Sequence, residues 1–262
     1  MTTIEPMRPA PIAIANDLAV KDLRAALGAG WRDFAARPGY GLFFGAIFAV
    51  SGLVLGYLLL ARGEPEWLIP AAAGFPLLAP FTAVGLYEVS RRREANLPTS
   101  WSVILGALKG RGDEQILSMG VILFVAFGFW IIVAHGVFAV FMAEAGAGAE
   151  SLAFLTTPAG LTMLGVGSVF GALIALAFYS ITVVSLPMLV DRKVDFLTAI
   201  ITSLRAFRTH LAVLLVWAAF VAAALFVAML PAFLGLLIVL PVLGHSTWHL
   251  YRRIVDSAPA TE

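Results

Sequence analysis

Long apolar stretches alternate with short polar ones along most of the chain. A helix needs about 20 apolar residues to cross the hydrocarbon core of a bilayer, and six stretches approach or exceed that length. They cover residues 39–61, 67–88, 116–143, 165–190, 211–230 and 233–251. Almost no linker separates the fifth from the sixth near Pro231, which predicts a tight helical hairpin. The pattern therefore predicts an all-α membrane protein with six transmembrane helices.

A shorter amphipathic stretch precedes each pair of spans. Residues 17–36, 99–108 and 195–207 place apolar side chains at helical spacing before the first, third and fifth spans. A basic pair closes each unit, at Arg91-Arg92, Arg192-Lys193 and Arg252-Arg253. The pattern indicates three repeats of one unit, an interfacial amphipathic helix followed by a helical hairpin. As an alternative, any set of hairpins carries basic residues at its cytoplasmic ends.

The repeat sets the expected domain organisation. One membrane domain covers residues 17–255, and its units cover about 17–94, 95–193 and 194–255. Residues 1–16 are expected to form a flexible N-terminal tail, because prolines interrupt them and they lack an apolar run. Residues 256–262 are expected to form a short C-terminal tail.

The amino-acid composition is typical of a membrane protein and differs from that of a soluble domain. Of the 262 residues, 61% are hydrophobic and only 13% are charged, against about 25% charged in an ordinary soluble domain. The mean hydropathy is +0.95. Cysteine is absent, which excludes disulfides and thiolate chemistry, and a net charge of +1 gives no support to nucleic-acid binding.

The positive charges predict the orientation in the membrane. With six spans, the chain segments alternate between the two sides, and 16 of the 17 Lys and Arg residues fall on the side that holds both termini. Only Arg62 falls on the other side. Because cytoplasmic loops carry the excess of Lys and Arg, both termini are expected in the cytoplasm.

Glycine and proline spacing suggests how the spans pack. Small residues recur four apart, the spacing at which membrane helices approach closely, within one chain or between copies in a homo-oligomer; these are Gly41 and Gly45, Gly52 and Gly56, and Gly167 and Gly171. Pro76 and Pro80 predict a kink in the second span, and Pro241 predicts one in the sixth. The hydroxyls of the fourth span could line a pore or pack against neighbouring helices.

Histidine and glutamate are the candidates for chemistry. His245 and His249 lie four apart on the sixth span, a spacing that can hold a metal or flank a haem, and His135 lies within the third span. The alternative is that these histidines form hydrogen bonds within the bundle, and no cofactor is expected. Glu88 lies inside an apolar stretch, where an acid suggests a proton or ion site. It is also one turn from Arg91, so structural pairing is the competing interpretation.

The basic residues beside the spans could contact lipid. Arg91, Arg92 and Arg93 follow the second span, with Glu88 before them as a further candidate for such a contact, and Arg252 and Arg253 follow the sixth. Such clusters bind anionic headgroups or an acidic partner. The alternative is that they only set the topology.

Two sequence runs resemble a known family. The run 37–45 (RPGYGLFFG) and the run 74–80 (GFPLLAP), which continues to 85–91 (GLYEVSR), are similar to the bacterial integral membrane family DUF2189 over about residues 20–255. The resemblance implies a six-span inner-membrane protein with no established activity. Some members carry the label of a cytochrome c oxidase component. The chain lacks the deep histidines and the thiolates that a catalytic oxidase subunit would need.

These patterns predict a non-enzymatic accessory or packing protein. The expected partners are membrane lipid, a second copy of the chain, or a larger complex such as a respiratory oxidase, and nucleic acid is not expected. The alternative function is a transporter or channel for a small, weakly polar solute that uses the kinked second and sixth helices.

Overall fold

The computed structural model describes residues 12–62, 79–107, 115–145 and 152–255, except for the side chains of 81 and 142–145. The described residues form helices joined by short turns and contain no strand. In chain order the helices are α1 (Val20–Ala36), α2 (Pro38–Arg62), α3 (Ala79–Thr82), α4 (Val84–Glu94), α5 (Trp101–Gly106), α6 (Gln115–Ala145), a 3-10 turn (Leu152–Thr156), α7 (Pro158–Thr182), α8 (Ser185–Asp191), α9 (Phe196–Thr209), α10 (Leu211–Met229) and α11 (Leu236–Val255).

Four segments are long and apolar enough to cross a membrane. They are Pro38–Arg62, Gln115–Phe141, Pro158–Asp191 and Leu211–Met229, and they correspond to the first, third, fourth and fifth predicted spans. The prediction of an all-α membrane protein is therefore confirmed. The fourth segment contains two helices, because the chain leaves the α7 geometry at residues 183–184 before α8 begins.

The second and sixth predicted spans need separate description. Residues 63–78, with Pro76, lie outside the described residues, and the remainder of the second span forms α3 and α4. The sixth span is the helix α11, but its C-terminal half contains two histidines and two arginines, which lower its mean hydropathy below that of the four segments above. A six-residue connection, 230–235, joins α10 to α11. The sequence had suggested almost no linker.

Helix α11 is largely enclosed by its neighbours. Both α1 and α2 pack along it in antiparallel fashion: α1 follows its C-terminal half and α2 its N-terminal half. At one end, the backbone N–H of Ala15 donates to the carbonyl of Ile254 at 2.8 Å. Residues 12–16, which the sequence assigned to the tail, therefore lie beside the end of α11.

The core forms where the final helices of the three predicted units meet. Helices α4, α8 and α11 contact one another, and their fully buried side chains include Leu86, Leu186, Met188, Trp248 and Tyr251. The short amphipathic helices pack around this centre: α1 on α11, α5 on α4, and α9 on α7 and α8. Each of them therefore contacts the final helix of a predicted unit other than its own.

Glycines permit the approach of α2 to α11. A Cβ atom at Gly45 would lie 2.8 Å from Leu237 Cα and 2.9 Å from the Leu236 carbonyl oxygen, both of them backbone atoms. At Gly41 and Gly52 it would meet the rings of Phe34 and Phe233.

The other three glycines of the predicted packing pattern differ in how closely a neighbouring group approaches them. A Cβ at Gly171 would lie 2.8 Å from the Trp130 ring, whereas one at Gly167 would make only an ordinary contact, and Gly56 faces open space. Close contacts therefore accompany only part of the glycine pattern.

We expect Gly45→Ala to destabilise the protein, because the added methyl group meets backbone that cannot rotate away. Overpacking of this kind costs about 1–3 kcal/mol, which should lower the melting temperature of the detergent-purified protein by several degrees. Gly56→Ala is the matched control on the same helix and should leave the melting temperature unchanged. Equal behaviour of the two variants would show that α2 does not depend on this approach.

Candidate functional site

A buried carboxylate marks the place where α1 meets α4 and α11. Asp33 is only 5% exposed, because Gly30, one turn earlier, brings α1 against the α11 backbone. A Cβ at Gly30 would lie 2.6 Å from the backbone nitrogen of Ser246 and 2.8 Å from the carbonyl oxygen of Val242. The side chain of Asp33 therefore enters the interior and must find its partners there.

Four side chains surround this carboxylate, and we call the five residues the Asp33 cluster. The Ser90 hydroxyl donates to Oδ2 at 2.7 Å, and Nε2 of His249 lies 2.8 Å from the same oxygen. Nε of Arg93 lies 2.9 Å from Oδ1. The fifth member, His245, contacts Ser90. The cluster connects α1, α4 and α11.

The hydrogen bonds of Ser90 define the state of His245. Ser90 Oγ lies 2.8 Å from Nδ1 of His245, and its single proton is directed to Asp33. Nδ1 must therefore carry the proton that it donates to Ser90, which leaves Nε2 as the unprotonated nitrogen. That Nε2 is buried and has no hydrogen-bond partner among the described groups, an arrangement that suits a neutral imidazole.

The charge on Asp33 is stabilised by its neighbours. Burial alone would raise the pKa of this carboxyl, but the hydrogen bonds from His249 and Ser90 outweigh burial and hold its pKa below the ordinary value. Asp33 is therefore ionised at neutral pH.

Glu88 lies beside the cluster and has its own partners. It is 6% exposed and forms a two-pronged pair with Arg91, with Nε–Oε2 and Nη2–Oε1 distances of 2.7 and 2.6 Å. Nε of Arg92 lies 3.4 Å from Oε1. Both arginines are on the same helix, at the spacing that favours such pairs.

A second set of contacts ties the ends of α4, α8 and α11 together. Arg252 reaches Glu94 and Asp191, each at 3.3 Å. The Tyr251 hydroxyl donates to Asp191 at 2.8 Å, and Trp248 Nε1 donates to Glu94 at 3.1 Å.

The final arginine of α11 contacts the first turn of α1 and the residues before it. Arg253 contacts Asp17 at 3.0 Å and Asp22 at 3.3 Å. All five arginines predicted to contact lipid are thus paired with carboxylates of this chain: Arg91, Arg92, Arg93, Arg252 and Arg253.

The predicted metal ligands are placed in different surroundings. Nδ1 of His245 and Nε2 of His249 are engaged in the Asp33 cluster, and His135 lies on an exposed part of α6. Within the described ranges, no group of three His, Cys, Asp or Glu side chains is arranged to hold a metal ion.

The structure also places two of the hydroxyls predicted to line a pore and two of the prolines predicted to kink a helix. Ser180 donates to the Ala177 carbonyl and Thr182 to that of Phe178, so both hydroxyls bond to their own helix. Pro241 lies inside α11, and Pro80 lies in α3, just before the helical geometry is interrupted at Ala83.

A polar groove of about 420 Å³ opens beside the Asp33 cluster. It is lined by Arg37, Val89, Arg93, Asn96, Leu97, Pro98 and Thr99. Asn96 ends α4 in the left-handed conformation, with φ of 52°, and its N–H and that of Leu97 bond back to the carbonyls of Arg93 and Arg92. This Schellman arrangement fixes one wall of the groove.

Sequence analysis missed Asp33, Ser90 and Arg37. A signal for Asp33 was present, because it shares the face of Leu23, Ala26 and Gly30, which an amphipathic helix turns to the interior. An acid on that face indicates a buried partner. No comparable pattern indicates Ser90 or Arg37, because their surroundings come from distant parts of the chain.

Comparison with known proteins identifies one family. The family model described as predicted integral membrane protein (DUF2189) matches residues 68–191. The resemblance is therefore confirmed, but over a shorter segment than the 20–255 expected. The segment includes the runs 74–80 and 85–91 and not the run 37–45. No curated protein and no solved structure matches the chain.

We expect Asp33→Asn to destabilise the protein at pH 7 by about 2–4 kcal/mol, because Arg93 and His249 lose a buried partner. The folded-state pKa of Asp33 is depressed, so its stabilisation is complete above its unfolded pKa of about 4 and is lost as the pH falls through the folded value. The penalty should therefore shrink below about pH 4 in thermal or denaturant unfolding. Glu94→Gln, at a half-exposed carboxylate, should cost less than about 1 kcal/mol. Equal penalties for the two variants would contradict a special role for Asp33.

Proposed function

We propose that this integral membrane protein is a non-enzymatic accessory or packing component of the bacterial inner membrane. It would have six spans, built as three repeated units, with both termini in the cytoplasm. It would act by presenting a fixed helical surface to lipid and to a membrane partner.

The charge distribution and the packing of α11 support six spans. The apolar N-terminal half of α11 follows α2, which is itself a candidate span, and its polar half continues beside the amphipathic helix α1. In this arrangement the Asp33 cluster lies at the cytoplasmic end of the bundle. The excess of Lys and Arg on that side agrees with this orientation.

The contacts of the amphipathic helices support a threefold repeat. If the three units follow one another around a central axis, each amphipathic helix should rest on the final span of its neighbour. The pairs α1 with α11, α5 with α4, and α9 with α7 and α8 have this relation. The final spans α4, α8 and α11 would then surround the axis.

The main support for a structural role is that the carboxylates of the bundle contact other side chains of the same chain. Asp33, Glu88, Asp191 and Glu94 each contact a basic or hydroxyl side chain of this chain, and all but Glu88 do so across helices. Such contacts fix helix positions and suit a scaffold. Because these polar groups contact one another, the outward apolar faces are the surfaces on which a partner would bind.

Helix α6 supplies one such face. Phe124 and Ile132 are 70% and 69% exposed, and Val121, Val125 and Phe129 share the face with them. Lipid or another membrane subunit would cover these side chains. The oxidase label in the resembled family makes a respiratory complex the first partner to examine.

The orientation can be tested with reporter fusions. We expect a reporter that is active only in the cytoplasm to be active at residue 262 and after residue 193, because both positions follow basic segments. A fusion after residue 64 should be inactive, because it follows the first span. Activity after residue 64 would contradict six spans with both termini inside.

The accessory role can be tested by purifying the tagged full-length protein in a gentle detergent. We expect a membrane complex to co-purify in fixed stoichiometry, as identified by mass spectrometry, with any haem absorption following the partner. Loss of the partner from a variant with Phe124 and Ile132 changed to Ala, with monomer folding retained, would place the contact on α6. A single species without a partner, together with saturable solute binding, would instead favour the transporter function.

A further inference from the structure

The polar groove beside the Asp33 cluster has an unusual balance of charge. Arg37 and Arg93 both line it, and none of the described residues that line it is acidic. Arg93 uses Nε to hold Asp33, whose carboxylate is buried and already accepts from Ser90 and His249. Arg37 is exposed and forms no ion pair with any described residue. The groove is therefore electropositive.

Its neutral lining adds hydrogen-bonding capacity. The Asn96 amide and the Thr99 hydroxyl can each donate to an oxygen-rich anion. Two guanidinium groups with additional neutral donors are a combination that suits phosphate, because guanidinium groups match its oxygens in pairs.

The two segments that hold Arg37 and Thr99 also hold a cluster of aromatic side chains. The tilted rings of Tyr40 and Trp101 contact each other with centroids 4.5 Å apart, and Phe43 meets the same indole edge-on at 5.1 Å. Trp101 and Phe43 are 44% and 43% exposed. Tyr40 is three residues beyond Arg37, and Trp101 is two residues beyond Thr99, so the same two segments contribute to the groove and to the aromatic cluster.

The position along the chain places this groove at a bilayer surface. Arg37 immediately precedes the candidate span Pro38–Arg62. Exposed Trp and Tyr side chains concentrate at the level of the headgroups. A phosphate in the groove would thus lie at headgroup depth, with apolar chains able to follow the aromatic cluster toward the hydrocarbon core.

We propose that this groove binds the phosphate of an anionic phospholipid headgroup. Arg37 and Arg93 hold the phosphate, Asn96 and Thr99 donate to its oxygens or to the headgroup, and Tyr40, Phe43 and Trp101 contact the acyl chains. The site stands on the groove alone and does not require the accessory role proposed above.

The test measures binding of phosphatidylglycerol to the full-length protein in a neutral detergent, by native mass spectrometry and by the shift in melting temperature. Arg37→Gln should weaken binding about tenfold, the loss expected for a charge-assisted hydrogen bond. Arg32→Gln is the matched control: it removes the same charge from an exposed position on the preceding helix that does not line the groove. It should leave binding within about twofold, since the charge removed is solvent-screened. Thr99→Val should weaken binding without any change of charge.

Three results would overturn the proposal. Equal losses in Arg37→Gln and Arg32→Gln would indicate a diffuse attraction between surface charge and lipid. Phosphatidylcholine binding as tightly as phosphatidylglycerol would remove the requirement for an anionic headgroup. Inorganic phosphate producing the full melting-temperature shift in an Arg37-dependent manner would assign the groove to a free anion, because the acyl chains would then contribute nothing.

Discussion

The requirement to solvate one buried carboxylate determines how the cytoplasmic half of the proposed bundle is assembled. An ionised Asp33 at 5% exposure is tolerable only with close partners. Those partners come from two other helices: Ser90 and Arg93 from α4, and His249 from α11. The contact is therefore satisfied only when the three helices hold one relative position. Arg93 also lines the polar groove, so the shape of that groove depends on the same carboxylate.

The two halves of α11 illustrate why hydropathy alone describes this fold incompletely. The first half meets α2 through glycine-permitted backbone contact, as is common between membrane helices. The second half contains the histidines, the hydroxyls and the terminal arginines, and all of these meet partners from this chain. The mean hydropathy of the whole helix shows neither the apolar first half nor the polar second half. A helix surrounded by protein can be polar, because protein rather than lipid provides its surroundings.

The sequence was sufficient for features set by local pattern. Apolar length located the helices that are candidate spans. The N-cap of α9 is also a local feature, because the Asp195 carboxylate accepts from the backbone N–H of Thr198 at 2.8 Å. Features that depend on contacts between distant parts of the chain could not be predicted from the sequence. Nothing near Ser90 in the chain reveals that Asp33 and His245 lie on either side of it, and the turn with Ala232 and Phe233 at positive φ depends on Phe233 packing against Gly52. The break between α7 and α8 also lies inside a continuous apolar run.

The arginines show how one sequence signal can carry different physical roles. All of those at the ends of α4 and α11 contribute to the positive charge that would set topology, and sequence spacing alone treats them alike. The structure separates them by partner. Arg91, Arg92, Arg252 and Arg253 neutralise carboxylates of the chain, and Arg93 is shared between Asp33 and the groove. Arg37, outside these runs, keeps its charge exposed at the edge of a span. Arg37 has no ion-pair partner among the described residues and lies near exposed aromatic rings in the chain. Its attraction for an anion is therefore less offset by the described part of the protein than that of the arginines at the ends of α4 and α11.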